Sequence, residues 1–137
     1  MNAILIDTNA YAAFKRGRSD ALLVVQRAPF IGISSIVVGE LLGGFAAGTR
    51  KAENRRELEA FLASPRVAFH PVERVTAERY AEIYASLKTA GTPIPTNDIW
   101  IAASAIERGL SLFTFDAHFR HVPGLKVGAS EAELSIP

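Results

Sequence analysis

Short, unbroken apolar runs alternate along this chain with longer amphipathic stretches. The first run, Ala3-Ile4-Leu5-Ile6, ends at Asp7-Thr8-Asn9. A run this short, with no polar residue interleaved, predicts a strand buried on both faces. A helix is expected after it, to about Phe14. Phe30 to Ile33 predicts a second strand. Ser34-Ser35 then supplies an N-cap for a helix reaching about Leu42, with Gly43-Gly44 as its stop. Ala52 to Leu62 has helical character, and Val67 to Val72 alternates imperfectly, as a third strand would. Thr76 offers a cap for a long helix ending near Ala90-Gly91, and Pro93 and Pro95 mark a rigid loop. Thr96 or Asn97 caps a further helix over Asp98 to Arg108, closed by Gly109. Leu110 to Phe115 predicts a fourth strand and Leu125 to Val127 a short last one.

Strands that alternate with helices imply right-handed crossovers, and so a mostly parallel sheet covered by helices on both faces. The predicted class is α/β, a three-layer α/β/α sandwich. With no internal repeat and no Pro, Gly or Ser-rich linker, residues 1–137 are expected to form one domain. Ligands of such sheets bind beyond the carboxyl ends of the strands. Asp7 and Asp116 both stand at exits of that kind.

Composition narrows the chemistry. There is no cysteine, which excludes disulfides, thiolate metal sites and cysteine nucleophiles. The net charge of +1 gives no global attraction for a polyanion, so any nucleic-acid contact must be local. No apolar stretch is long enough to cross a bilayer, and the N-terminus lacks a basic region ahead of an apolar one; a cytoplasmic protein with no membrane contact is expected. The mean hydropathy of +0.17 leaves apolar surface for a partner interface.

The acidic residues carry the candidate chemistry. Three of the four aspartates, Asp7, Asp98 and Asp116, lie at element junctions. Asp7 either caps the next helix or offers oxygen ligands at the sheet edge. Glu40 falls four residues after Ile36 on an apolar stripe, where a carboxylate is costly unless it is paired or binds metal. Asp98 suits a helix start through the helix dipole alone, but a Pro-X-Pro loop before it and an apolar helix after it would hold it firmly. Asp116 ends an apolar strand as Asp7 does, and could equally be a turn residue; Thr114, two residues earlier, is expected on the same side, able to orient a carboxylate. Four carboxylates at one sheet edge would repel one another without a cation, and an all-oxygen set favours Mg²⁺ or Mn²⁺. Such a site suits phosphodiester hydrolysis. His118 and His121 raise an imidazole zinc site, but His70 belongs to another strand and no third histidine lies near; a role near the substrate phosphate stays open, and surface placement is the favoured expectation.

Four segments together resemble the PIN-domain nucleases, and among them the VapC-type toxins of bacterial toxin–antitoxin pairs. They are Ile4-Leu5-Ile6-Asp7-Thr8-Asn9, Ser35-Ile36-Val37-Val38-Gly39-Glu40-Leu41, Asn97-Asp98-Ile99-Trp100-Ile101-Ala102-Ala103, and Leu112-Phe113-Thr114-Phe115-Asp116 with His118-Phe119 and Pro123-Gly124-Leu125 behind it. Their order and spacing cover nearly the whole chain. The resemblance implies a PIN-like fold and Mg²⁺- or Mn²⁺-dependent RNA cleavage. It makes Asp7, Glu40, Asp98 and Asp116 the metal-binding acids, with Thr114 and Asn9 in support. It also implies a homodimer neutralised by a VapB-type antitoxin. Trp100 departs from the smaller residues usual at its position.

Lys15, Arg16 and Arg18 are the favoured contacts for RNA phosphates; Arg50, Lys51, Arg55 and Arg56 form a second basic cluster that a solvated helix face explains equally well. Two rival readings stand beside the nuclease. A phosphatase or receiver domain on the same kind of sheet would need a second aspartate two residues after Asp7 and a late lysine, and has neither. A non-catalytic module receiving a basic peptide would have no need of four acids in metal geometry.

Overall fold

The computed structural model describes residues 3–136. Strands β1 (Ile4–Ile6), β2 (Ile31–Ser34), β3 (Val67–His70), β4 (Ser111–Phe113) and β5 (Val127–Gly128) form one parallel sheet in the order β3-β2-β1-β4-β5. Among the described residues six α-helices pack around it: α1 (Thr8–Lys15), α2 (Ser19–Arg27), α3 (Ser35–Ala47), α4 (Lys51–Leu62), α5 (Arg74–Ala90) and α6 (Thr96–Arg108), with a 3₁₀ turn at Ala117–His121. This is the expected α/β class. The chain moves outward from β1 to β2 and β3, then returns to the other side of β1 with β4 and β5. The switch point, where a parallel sheet opens a crevice at its carboxyl edge, therefore lies between β1 and β4.

The apolar runs became the strands because both faces of the sheet are covered. Ile4, Leu5 and Ile6 are fully buried, as are Ile31, Ile33, Leu112 and Phe113. Pairing of Ile6 with Phe113 sets the register that brings the ends of β1 and β4 together. Gly32 in β2 passes beneath the His70 ring, and a Cβ there would lie 2.7 Å from His70 Cδ2. Two helices end as expected at glycines in the left-handed region, Gly91 (φ 71°) and Gly109 (φ 65°).

Several boundaries differ from expectation for identifiable reasons. Helix α3 runs through Gly43-Gly44 to Ala47. Neither glycine has positive φ, and Leu41, Leu42 and Phe45 pack the other side of the helix against the core, so tertiary packing outweighs their low propensity. Thr76 is the third residue of α5, not its cap. Glu73 is the cap, and its backbone N–H donates to Thr76 Oγ1 at 3.0 Å in a capping box. Pro95 stands at the cap position of α6, with Thr96 and Asn97 in the first turn. Strand β3 stops at His70 because Pro71 has no N–H; the next donor, Val72 N, goes to Ser35 Oγ at 3.1 Å. Strand β4 is shorter than the apolar run that encodes it, since its partner β1 has only three residues. Helix α2 was not expected. Its buried residues Ala21, Val24 and Val25 have helical spacing, but the helix is short, and no side chain caps its start.

Candidate acidic active site

Asp7 is set by two elements at once. It is the N-cap of α1, its Oδ1 accepting from Ala10 N at 2.8 Å, which removes one unpaired donor of the first helical turn. Its Oδ2 accepts from Thr114 Oγ1, and its backbone N–H donates to Phe113 O at 3.2 Å. The capping and ligand readings of Asp7 are thus compatible. The side chain is nearly inaccessible, at 3%. Burial pushes its carboxyl up from the ordinary 3.8 to about 6; the Thr114 and Ala10 hydrogen bonds oppose this, and the charges of Asp98 and Asp116 add to it.

Thr114 ties the two strand ends together. Besides donating to Asp7 its hydroxyl accepts from Asp116 N at 3.0 Å, so it holds one acid directly and the backbone of another. Asp116 caps the 3₁₀ turn, accepting from His118 N at 3.2 Å. Glu40 extends from the half-buried margin of α3 and is held from two sides: Thr8 Oγ1 donates to Oε1 at 2.6 Å and Asn97 Nδ2 to Oε2 at 3.3 Å. Asp98, in the first turn of α6, is raised above its ordinary value by burial, with the His118 hydrogen bond opposing that shift.

These side chains line one cleft of about 500 Å³, formed by Asp7, Glu40, Asp98 and Asp116 together with Thr8, Asn9, Asn97 and His118, among others. No lysine or arginine lines it among the described residues. An arrangement in which burial and mutual repulsion lift the pKa of a carboxylate, with no lysine or arginine of the described residues beside it and His118 offsetting only part of the shift at Asp98, fits a hard divalent ion. Asp98, Asp116 and His118 each offer a ligand atom, all within 4.8 Å of one another.

Of the residues singled out in the sequence, the structure brings Asp7, Asn9, Glu40, Asp98 and Asp116 to the cleft, with Thr114 directly behind Asp7. It does not bring Lys15, Arg16 or Arg18 there. They lie at and beyond the far end of α1, about 12 Å of helix away from Asp7. Lys15 pairs with Glu57 at 2.8 Å; Arg18 pairs with Asp20 at 2.8 Å and stacks over Phe115. The expected surface placement of His118 is wrong: its ring is half-buried between two carboxylates, Nε2 lying 2.5 Å from Asp98 Oδ2 and Nδ1 2.9 Å from Asp116 Oδ1. His121 is exposed. Thr8 and Asn97 were not anticipated in their roles as supports of Glu40, although both directly flank acids in the sequence. Trp100 does not disturb the site; it stacks on Tyr80 of α5 at 4.2 Å.

Known proteins share this architecture. The PIN domain family matches residues 4–125. Ribonuclease VapC2 of Rickettsia felis is 31% identical over 126 residues, covering 88% of this chain and 92% of the relative. Ribonuclease VapC4 of Mycobacterium tuberculosis is 27% identical over 96 residues, covering 70% and 74%. The crystal structure of VapBC2 from Rickettsia felis, bound to a DNA fragment from its promoter, superposes with a TM-score of 0.80 at 27% identity over 92% of this chain and 97% of that one. With a family match over residues 4–125 and a 31% identical relative aligned over 88% of its length, the chain belongs to the PIN-domain family.

Proposed function

We propose that this chain is a metal-dependent endoribonuclease and the toxin of a toxin–antitoxin pair, with residues 1–137 acting as one catalytic domain. The observation that carries the reading is the convergence of Asp7, Glu40, Asp98 and Asp116, from four separate elements, on one cleft lined by no lysine or arginine among the described residues. The similarity to named VapC ribonucleases supports RNA as the substrate. The neighbouring VapBC complexes support a VapB-type antitoxin as partner. A homodimer acting in the cytoplasm completes the reading.

Asp7, Glu40, Asp98 and Asp116 would hold Mg²⁺ or Mn²⁺. A bound divalent ion supplies Lewis-acid stabilisation of charge on the phosphodiester and lowers the pKa of water for attack. The chain's own residues do the positioning. Thr114 fixes the Asp7 carboxylate, so that it meets a ligand without first losing rotational freedom. Thr8 and Asn97 fix both oxygens of Glu40. Asn9, exposed at the cleft rim, is placed to donate to the RNA backbone. Lys15 and Arg18 are already paired, which leaves Arg16 as the member of that cluster free of an ion pair among the described residues and the one suited to a more distant phosphate.

Inducible expression in a bacterium tests this. Growth should arrest, new RNA ends should accumulate at discrete sites, and both effects should vanish with Asp116→Asn or with a co-expressed VapB-type antitoxin. Arrest that persists in Asp116→Asn without new RNA ends would exclude the nuclease as its cause.

A further inference from the structure

We propose that His118 is a direct metal ligand of this site, making it a mixed nitrogen and oxygen centre that takes Mn²⁺ in preference to Mg²⁺; this rests on the nuclease reading above.

The placement of the ring is built into the fold. Asp116 caps the 3₁₀ turn through His118 N, and Phe119, only 1% exposed, anchors the turn in the core. With its neighbour buried, the imidazole is directed into the cleft. There its two nitrogens face two different acids, Asp98 at 2.5 Å and Asp116 at 2.9 Å. The three donors lie within 4.8 Å of one another, close to the span of one ion's coordination shell, about 4.2 Å for bonds of about 2.1 Å. A neutral imidazole donates from one nitrogen and keeps a lone pair on the other; with Nε2–H donating to Asp98 Oδ2, Nδ1 faces Asp116 Oδ1 with its lone pair available to an ion that both can reach. The donors that converge in the cleft thus include a nitrogen. Mg²⁺ is met almost wholly by oxygen, whereas first-row transition ions accept imidazole readily, with affinity rising from Mn²⁺ onward through the series.

Pulsed electron paramagnetic resonance of Mn²⁺ bound to the purified full chain reads the ligand atoms directly. The wild type should show ¹⁴N hyperfine coupling from a coordinated imidazole. His118→Ala should bind Mn²⁺ without that coupling and about tenfold or more weakly, with Mg²⁺ affinity, measured by competition, changing less than about threefold. His118→Asn, which keeps a polar side chain on the turn, should lose the coupling equally and guards against a folding defect in the alanine variant. Mn²⁺ bound through oxygen alone, with equal affinity in wild type and both variants, overturns the role of His118 and leaves the nuclease reading intact. Absence of Mn²⁺ binding in the wild type overturns both.

Discussion

Replacing Asp7 by asparagine should abolish activity and yet stabilise the metal-free protein at neutral pH. The carboxyl is 3% exposed and its pKa is lifted to about 6 from 3.8, mainly by burial. A folded-state pKa above the unfolded one means that the native state holds the proton more tightly. Stability from this group is therefore fully present below about pH 4 and is lost as pH rises through about 6. A gap of roughly two pH units corresponds to about 3 kcal/mol, the cost of keeping Asp7 ionised in the fold at pH 7.5. Asparagine removes the charge and keeps the shape. Its Oδ1 still accepts from Ala10 N, its amide can donate to Thr114 Oγ1, and asparagine caps helices as well as aspartate does. In EDTA at pH 7.5 the variant should unfold at a free energy up to about 3 kcal/mol higher, or about 6 to 10 °C higher in Tm for a chain of this size. The advantage should shrink to near zero at pH 4. Saturating Mn²⁺ should raise the Tm of the wild type and leave the variant little changed, because a ligand of the folded state stabilises it. Urea and thermal unfolding across pH 4 to 8 measure all three effects. A variant less stable than wild type in EDTA at pH 7.5, or a difference that does not depend on pH, would refute the reasoning.

Other substitutions separate the parts of the account. Thr114→Val keeps the volume but leaves Asp7 Oδ2 and Asp116 N without their hydroxyl partner, so unfolding by urea should show a loss of about 1–3 kcal/mol. Gly128→Ala would place a Cβ 2.8 Å from Glu133 Cβ and 3.0 Å from the Glu133 carbonyl carbon. Backbone must then move, and the same measurement should show a loss of about 1–3 kcal/mol with the acid cleft unaffected in Mn²⁺ binding. Tyr11→Phe removes a buried hydroxyl that has no hydrogen-bond partner among the described residues, while the ring keeps its edge contact with Phe61; stability should stay level or rise by about 1 kcal/mol. Glu40→Gln keeps acceptance from Thr8 yet removes one charge from the cleft, so RNA cleavage should fall at least tenfold with thermal stability within a few degrees of wild type.

The sheet was legible because buried parallel strands write themselves as unbroken apolar runs, and Asp7 and Asp116 were legible because each directly ends such a run. Glycines that must adopt positive φ, Gly91 and Gly109, announced two helix ends, whereas Gly43 and Gly44 did not end theirs. Local propensity cannot report packing on the far side of a helix. The supports of the site were hidden for a related reason. Thr8 reaches Glu40 across 32 residues, and Asn97 reaches it across 57. His118 meets Asp98 across 20. Long-range pairings of this kind depend on the strand order, which the periodicity of one chain does not encode. The pairing of Lys15 with Glu57 and of Arg18 with Asp20 was not legible, because charge in sequence says nothing of the acids that neutralise it in space.

The central claim is that the acid cleft cuts RNA with the help of a divalent ion. Purified chain, freed of any bound partner, should be incubated with a pool of structured RNAs in Mg²⁺ or Mn²⁺, beside EDTA and Asp7→Asn controls. The account predicts cleavage at discrete sites with either metal and none in EDTA or with the variant. Equal behaviour of wild type and Asp7→Asn in every metal would contradict it, and would leave the cleft as a binding surface without chemistry.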